Sequence, residues 1–271
     1  TQNAGLSSSQ VIKASTVANT LTISGTATLA SGLDTVAFGK FGPNGGLLTQ
    51  SQSGAAASLV LAGATGNINV GAFQSATVGT TPFVHVVAGG TLNVNAAFAV
   101  GGTAGMLKAD GGVLNLNGQA YFTGTATIDG GTLSLNSGVA NTLLVTANAG
   151  ASGAGLTNLT INGSSAVVDL KDNAQAVAAL FSTNPLPGGG GTVTNSGSSV
   201  VVFTDSTQAA GVTFGGQITG NLAFTKSGAN TQLLTGASTY VGETIVRGGM
   251  LQLRDGGTIA STAGLKLFYG T

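Results

Sequence analysis

The chain has 271 residues, with eight basic and eight acidic side chains, no Cys and no Trp. Its zero net charge generates no long-range field to attract nucleic acid or an anionic membrane, and without Cys it has neither disulfides nor thiolate metal sites. Hydrophobic residues make up 42% of the chain and no run of about 18 apolar residues occurs, so we expect a packed structure that does not span a membrane.

Short segments with alternating apolar residues recur along the chain. They are "TLTISG" (20–25), "NINVG" (67–71), "GGTLNVN" (89–95), "GGVLNLN" (111–117), "GGTLSLN" (130–136), "NLTING" (158–163), "NLAFTKSG" (221–228) and "GGMLQLR" (248–254). The first apolar positions of the central copies are Ile68, Leu92, Leu114, Leu133 and Leu159, which gives steps of 24, 22, 19 and 26 residues. A spacing near 20 with some scatter predicts a β-solenoid whose coils each contain three short strands.

Strand alternation assigns the two faces of each segment. In "TLNVN", Leu92 and Val94 share one side and Asn93 and Asn95 share the other. We expect the aliphatic residues to form inward ladders and the Asn residues to form outward amide ladders. At about 20–22 residues per coil, the chain makes roughly 11–13 coils of an all-β, parallel β-solenoid.

One segment interrupts the repeat. Asp172 is a helix-cap candidate, the spacing of Ala176, Val177, Leu180 and Phe181 is helical, and a Pro/Gly-rich stretch follows. We predict a short helix and loop over residues 171–191, between N-terminal coils at 1–170 and C-terminal coils at 192–271. The whole forms one continuous rod.

Asp-Gly-Gly occurs three times in the turns next to these strands. Gly tolerates positive φ and Asp can hydrogen-bond to the backbone of its own turn, so turn geometry explains the motif. The acids Asp110, Asp129 and Asp255 are also candidate surface calcium ligands. The sequence contains no repeated calcium-binding motif, and we expect no cofactor.

Catalytic chemistry finds little support in the sequence. Glycoside cleavage needs two carboxyl groups that face each other across a groove. The acids are Asp34, Asp110, Asp129, Asp169, Asp172, Asp205, Glu243 and Asp255. The single histidine, His85, alternates with valines and is interpreted as an outward strand residue, and Tyr240 is interpreted as packing at a coil corner rather than stacking on a ligand. We predict no enzymatic activity and no catalytic residues.

Both ends of the chain suggest an assembly surface. A solenoid end exposes unpaired backbone groups and an apolar cross-section, which isolated solenoids normally cover with a cap. Here "SSQVIKAS" leads quickly into strand pattern, and "LKLFYGT" ends on a strand-like run. We expect Val11, Ile12, Leu267, Phe268 and Tyr269 to form head-to-tail contacts between copies of the chain.

Residues 214–257 resemble the passenger-associated transport repeat of autotransporter-type proteins. The matching positions are Phe214, Gly216, Ile218, Gly220, Lys226, Gly228, Leu234, Gly236, Tyr240, Gly242, Thr244, Gly249, Leu251 and Leu253, while Ser238 and Phe224 replace the usual Asn and Leu. The resemblance implies a right-handed parallel β-helix outside a bacterial cell or at its surface.

Three functions are compatible with this sequence. The first is a non-enzymatic structural β-solenoid that associates end to end, as a homopolymer, into a surface filament, layer or matrix. The second is an adhesin passenger domain that binds host or matrix ligands, such as a surface component or a glycan, through its side. The third is an exported polysaccharide-active enzyme.

Overall fold

The structure is a computed structural model that describes residues 58–69, 72–75, 81–100, 104–143 and 156–270, together with strands at 4–6, 10–11, 16–18, 20–23, 26–30 and 35–38. Within these ranges the chain forms strands, turns and irregular segments and no helix, which confirms the all-β prediction. None of these residues therefore belongs to a helix that could cross a membrane.

The chain forms thirty short strands over the described residues. The first half comprises β1 (Ala4–Leu6), β2 (Gln10–Val11), β3 (Thr16–Ala18), β4 (Thr20–Ile23), β5 (Thr26–Ala30), β6 (Thr35–Phe38), β7 (Ser58–Leu61), β8 (Thr65–Asn69), β9 (Ala72–Ser75), β10 (Phe83–Val86), β11 (Thr91–Val94), β12 (Ala97–Val100), β13 (Met106–Ala109), β14 (Val113–Leu116) and β15 (Ala120–Tyr121). The second half comprises β16 (Ala126–Ile128), β17 (Thr132–Leu135), β18 (Leu159–Ile161), β19 (Val167–Asp169), β20 (Gln175–Val177), β21 (Leu180–Phe181), β22 (Thr192–Asn195), β23 (Val201–Asp205), β24 (Val212–Phe214), β25 (Gln217–Gly220), β26 (Leu222–Lys226), β27 (Thr231–Leu234), β28 (Thr244–Val246), β29 (Met250–Leu253) and β30 (Leu265–Leu267).

These strands pair in parallel in five sheets. Sheet 1 has the order β1-β4-β7-β10-β13-β16-β18-β21, and sheet 2 has the order β2-β5-β8-β11-β14-β17-β19-β22-β25. Sheet 3 is β15-β12-β9-β6-β3, sheet 4 is β20-β23-β26-β28-β30 and sheet 5 is β24-β27-β29. From β1 to β15, three consecutive strands lie in three different sheets before the chain returns to the first one, a coil later. This confirms the parallel β-solenoid.

The sheets set the number of stacked coils. The two longest sheets hold eight and nine strands, so about eight coils share uninterrupted sheets in the described part of the chain. Sheet 5 continues the column of sheet 1, because the backbone N–H of Ser182, just after β21, donates to the carbonyl of Thr213 in β24 at 3.1 Å. Its three strands bring that column to eleven levels, at the lower end of the predicted 11–13 coils.

Aliphatic side chains form continuous columns inside the solenoid. Leu92, Leu114 and Leu133 are in direct register across β11, β14 and β17, and the column continues to Val168 and Val193. All five side chains are buried. Since each coil alone buries too few side chains to offset the cost of ordering its backbone, this stacking stabilises the fold.

Two registers differ from those predicted. Val94, not Leu92, lies opposite Ile68, so the coil between β8 and β11 is two residues longer than the sequence spacing indicated. Leu133 lies opposite Val168 in sheet 2, whereas Leu159 belongs to sheet 1 and lies opposite Ala126. In β10, β11 and β12, which belong to sheets 1, 2 and 3, half-buried and buried residues alternate in the same way, so the apolar pattern does not indicate which sheet a strand joins.

The predicted helix over residues 171–191 is wrong. This segment forms β20, which pairs with β23, and β21, which pairs with β18, followed by a loop that contains the Pro and Gly residues. Asp172 has a positive φ of 61° and accepts hydrogen bonds from Ser198 and Ser199 on the next coil, so it does not cap a helix. The pairing of β20 with β23 and of β21 with β18 outweighs the local helical spacing.

The Asp-Gly-Gly turns place the left-handed backbone at different residues. Asp110 and Asp255 have φ values of 64° and 56°, whereas in the middle turn Gly131 has a φ of 64°. Asp is among the few residues other than Gly that tolerate this region. Sequence reasoning had assigned positive φ to the Gly residues alone.

Candidate functional site

A recess on the described surface lies where sheet 1 ends and sheet 5 continues its column. It is a cleft of about 440 Å³ on the side of the solenoid. Its lining residues are Asn158, Ala179, Phe181, Ser182, Thr183, Pro185, Ala209, Ala210, Gly211, Val212 and Thr213. Here the two loops that follow β21 and β23 leave the stack and form the walls of the cleft.

The wall formed by the first loop is held by hydrogen bonds to distant coils. The hydroxyl of Ser182 donates to the carbonyl of Asn184 at 2.8 Å and accepts from the N–H of Gly215 at 2.9 Å. The hydroxyl of Thr235 donates to the carbonyl of Pro185. A Cβ at Gly215 would lie 2.5 Å from the carbonyl oxygen of Leu186, so the loop packs directly on glycine backbone. The cleft is therefore preformed.

The chemistry of the lining is neutral. No Asp, Glu, Lys, Arg or His lines the cleft, which combines apolar side chains with hydroxyl groups and one amide. Phe181 is half-buried and points outward from its strand, whereas Leu180 points into the core. Within the described part of the chain, the side chains of Asn158 and Thr213 make no hydrogen bond. They are available to a ligand.

A second regular surface consists of the predicted amide ladders on sheet 2. The donor Nδ2 of Asn93 lies 2.8 Å from Oδ1 of Asn67, and that of Asn115 lies 2.7 Å from Oδ1 of Asn93. A second row follows Asn69, Asn95, Asn117 and Asn136, each amide donating to the one before it. The ladders use one N–H of each donor, so the other remains directed away from the ladder.

Two buried lysines are held in equivalent cages of carbonyl oxygens. Lys108 Nζ donates to the carbonyls of Ala109, Asp110 and Gly130 at 2.8, 2.7 and 2.9 Å. Lys226 Nζ donates in the same pattern to the residues one, two and 22 positions further on, Ser227, Gly228 and Gly248. Burial lowers the pKa of Lys108 to about 8, against the opposing effect of the Asp110 carboxylate. Each cage fastens the turn of one coil to that of the next.

Asp205 is also fully buried and lies next to Lys226 in the ladder of β23 and β26, where it is opposite that residue. Burial raises the pKa of Asp205 to about 6, although the N–H and hydroxyl of Thr207 donate to its carboxylate at 2.9 and 2.8 Å. Burial likewise lowers the pKa of Lys226, while Asp205 opposes this shift. Both groups lie in the interior and neither lines the cleft.

The candidate calcium ligands are engaged in separate contacts. Asp110 contacts Nδ1 of His85 at 3.1 Å, Asp129 accepts from Asn162 at 2.9 Å, and Asp255 lies 3.6 Å from Arg254. Among the residues that the structure describes, no three His, Cys, Asp or Glu side chains lie close enough to hold a metal ion. Calcium binding at these turns stays a prediction.

His85 and Tyr240 lie where the sequence indicated. His85 is on the outward side of β10, because Val84 and Val86 on either side are buried. Tyr240 is buried, and its hydroxyl lies 2.6 Å from that of Thr244. Tyr240 therefore packs in the interior with no exposed face for a ligand, and this burial raises its pKa to about 12.

The predicted assembly residues are described only in part. Val11 lies in β2, Ile12 lies outside the described residues, as does Asp34, and Leu267 ends β30. Leu267, Phe268 and Tyr269 are 55%, 57% and 93% exposed, and the guanidinium carbon of Arg247 lies 5.5 Å from the centre of the Phe268 ring. Leu265 in the same strand is 54% exposed, so four large apolar side chains are exposed within residues 265–269.

Comparison with known proteins supports this description. The passenger-associated transport repeat matches residues 106–135 and 224–253. The chain is 33% identical, over 164 residues or 59% of its length, to the protein named Adhesin BmaC autotransporter of Brucella suis biovar 1 (strain 1330). The chain spans 4% of the length of that relative. No solved structure matches the chain.

The two repeat matches and the similarity to this relative support an autotransporter passenger with β-helix repeats. A passenger of this type is exposed at the cell surface or outside the cell, as predicted. The right hand of the helix stays an implication of the resemblance.

Sequence reasoning missed the first repeat, the lysine cages and the cleft. Lys108 and Lys226 are the third residues of the two matched segments, and each precedes a turn in an otherwise uncharged strand. From this shared position, the sequence could have indicated that the two lysines have equivalent surroundings. No signal in the sequence indicated the cleft, because it depends on contacts between distant coils.

Proposed function

We propose that this autotransporter-type passenger segment is a non-enzymatic adhesive module, which binds ligands on another cell or on matrix through the side of its solenoid. The observation that carries the proposal is the 33% identity to a protein named as an adhesin, over 164 residues. The proposal favours lateral adhesion over the structural filament.

The geometry supports lateral binding in two ways. Parallel coils stacked around an aliphatic core form a stiff scaffold, which presents its outer faces at fixed spacing. Those faces carry a preformed neutral cleft and two rows of amides, both of which suit uncharged polar ligands. The near absence of charge favours contact recognition over long-range attraction.

The non-enzymatic part of the proposal rests on the surroundings of the acids. Asp205 is buried, Glu243 pairs with Lys266 at 2.7 Å, and Asp169 accepts from the N–H and hydroxyl of Ser196. Although burial opposes ionisation of Asp169, these donors and Lys171 lower its pKa below the usual value. A general acid at neutral pH requires the opposite shift.

The test is an adhesion assay with the purified chain on fluorescent beads. We expect folded chain to raise bead retention on epithelial cells or matrix several-fold over chain that has been unfolded by heat and coupled at equal density. Soluble folded chain should compete with the beads. Equal retention by folded, unfolded and uncoated beads on every surface would refute adhesion.

End-to-end association is a second candidate, and the exposed apolar side chains at β30 favour it. Leu265, Leu267 and Phe268 are each more than half exposed, and β30 pairs with β28 on one side only in the described structure. Analytical ultracentrifugation over a concentration series tests this candidate. Phe268→Lys should abolish any concentration-dependent growth, whereas Tyr121→Lys, at an exposed aromatic residue on the lateral surface, should not. A chain that stays monomeric at all concentrations excludes the candidate.

A further inference from the structure

The cleft beside β21 and β24 has the dimensions and rigidity of a ligand site. Its volume of about 440 Å³ lies within the range of roughly 300–1,000 Å³ for small-molecule pockets. The recess forms where sheet 1 ends at β21. Earlier strands of the sheet, such as β13, β16 and β18, pair directly with one another and leave no such gap. The hydrogen-bonded loop wall reduces the conformational entropy that a ligand would otherwise have to remove.

The lining excludes a charged ligand on physical grounds. A carboxylate or ammonium group entering the cleft would lose water and find no opposite charge, since no ionisable side chain lines it. Sialylated or sulfated glycans and acidic or basic peptide side chains are therefore disfavoured. The ligand must be neutral.

The arrangement of polar and apolar groups narrows the class further. The half-buried ring of Phe181 offers a flat apolar surface, and Ala209 and Pro185 add further apolar groups to the lining. The amide of Asn158 and the hydroxyl of Thr213 provide donors and acceptors without other partners in the described chain. A sugar ring has the complementary form, because its C–H groups make apolar faces and its hydroxyls project from the rim. An aliphatic protein side chain would leave both polar groups unpaired.

We infer that the cleft binds a neutral carbohydrate of one or two rings, with one sugar face against Phe181 and its hydroxyls hydrogen-bonded to Asn158 and Thr213. This inference rests on the proposed function, since it names the class of ligand that the adhesive module recognises. The cleft then provides specificity, and repeated weak contacts of many passengers provide avidity.

The test is a titration of the ¹⁵N-labelled full chain, followed by NMR. The probes are glucose, galactose, mannose, N-acetylglucosamine and their disaccharides, with glucuronic acid and sialic acid as charged comparators. We expect saturable shifts at the cleft residues with at least one neutral sugar and none with the acids. No shift there with any neutral sugar, or stronger binding of the acids, overturns the inference.

Matched variants locate the site. Thr213→Lys places a cation in the cleft and should weaken binding at least tenfold, and Phe181→Leu should weaken it severalfold. Thr127→Lys is the control, because Thr127 occupies an equally outward and half-buried position in β16 of sheet 1, outside the cleft. Circular dichroism checks that each variant is folded. Loss of binding in Thr127→Lys equal to that in Thr213→Lys would contradict a site in the cleft.

The bead assay separates the two proposals. If beads adhere and Thr213→Lys leaves adhesion unchanged while no neutral sugar binds, the carbohydrate inference fails and adhesion stands. If a sugar binds the cleft but folded beads do not adhere, the site stands and the adhesive function fails. If beads are displaced by a peptide with apolar side chains and not by sugars, the cleft takes a protein ligand and the inference is overturned.

Discussion

Lys108 and Lys226 hold their ammonium groups in the same set of three carbonyl oxygens, in two separate parts of the solenoid. In each case the third carbonyl, from Gly130 or Gly248, belongs to the turn of the next coil. Each of the two transport repeats thus contains a buried lysine whose hydrogen bonds join consecutive coils. Its conserved geometry within one chain points to a stabilising role.

Replacement of Lys226 by Met should therefore destabilise the chain. Met retains most of the apolar length but donates no hydrogen bond, so three backbone carbonyls lose the hydrogen bond from the buried ammonium group. We expect the free energy of unfolding to fall by about 1–3 kcal/mol or more, as measured by urea denaturation. Lys266→Met, which removes an exposed ion pair with Glu243, should cost about 0–1 kcal/mol. An equal loss in the free energy of unfolding in the two variants would contradict a special stabilising role for the hydrogen bonds of Lys226.

Asp205 should make stability depend on pH between about 4 and 6. Because burial raises its pKa from 3.8 to about 6, the folded state binds a proton in this window that the unfolded state has lost. Lowering the pH through 6 should therefore increase the free energy of unfolding, by at most about 3 kcal/mol at 1.36 kcal/mol per pKa unit. Asp169 has the opposite effect on stability. Because its pKa is lowered in the folded state, its ionised form stabilises the fold, and this contribution is lost only as the pH falls below about 3.8.

The matched variant for this effect is Asp205→Asn. It keeps the size of the side chain and an acceptor for Thr207 but cannot titrate. Urea denaturation at pH 4, 5, 6 and 7 should show that the gain on acidification is present in the natural chain and absent in the variant. The same slope in both proteins would assign the pH dependence to other groups.

The sequence predicted the columns of the core but not how they are shared among the sheets. Leu92, Leu114 and Leu133 stack as expected because each follows a Gly-Gly turn at nearly constant spacing. Leu159 shows the same apolar alternation but follows no Gly-Gly turn, and it lies in another sheet, while Val168 takes the place opposite Leu133. Apolar alternation specifies which side of a strand is buried, and turn lengths specify which sheet it joins.

The cleft was less accessible to sequence reasoning. The Pro/Gly-rich loop after Phe181 was predicted as a loop, but its path depends on a hydroxyl at Thr235 and on the missing side chain at Gly215. Both residues lie one or two coils further along the chain. Helical spacing in residues 176–181 also misled the prediction, because a solenoid corner places Val177 and Leu180 inward on two successive strands.

The exposed amide ladder should stabilise the fold in proportion to the hydrogen bonds each Asn makes. Asn117 both accepts from Asn136 and donates to Asn95, whereas Asn136 only donates. Asn117→Ala should lower the free energy of unfolding by about 1–2 kcal/mol and Asn136→Ala by about half as much. A double-mutant cycle between Asn95 and Asn117 should give a coupling of about 0.5–1.5 kcal/mol. Additive losses would mean that these amides act independently.

Close stacking of the turns predicts that Gly131 tolerates no side chain. It has a φ of 64°, and a Cβ there would lie 2.2 Å from the carbonyl oxygen of Gly112 on the preceding coil. Gly131→Ala therefore combines backbone strain with a clash that the neighbouring coil must relieve, and should cost about 2–5 kcal/mol.

Gly138 is the matched control, since it has a φ of 77° but no atom within 4 Å of the added Cβ. Gly138→Ala should lose only the strain of a left-handed Ala, about 1–2 kcal/mol in urea denaturation. The difference between the two variants measures the contact between coils, separately from the backbone conformation that both sites share. If Gly131→Ala cost no more than Gly138→Ala, the turns would be able to separate freely, and the tight stacking of β14 on β17 would not extend to the turns that precede them.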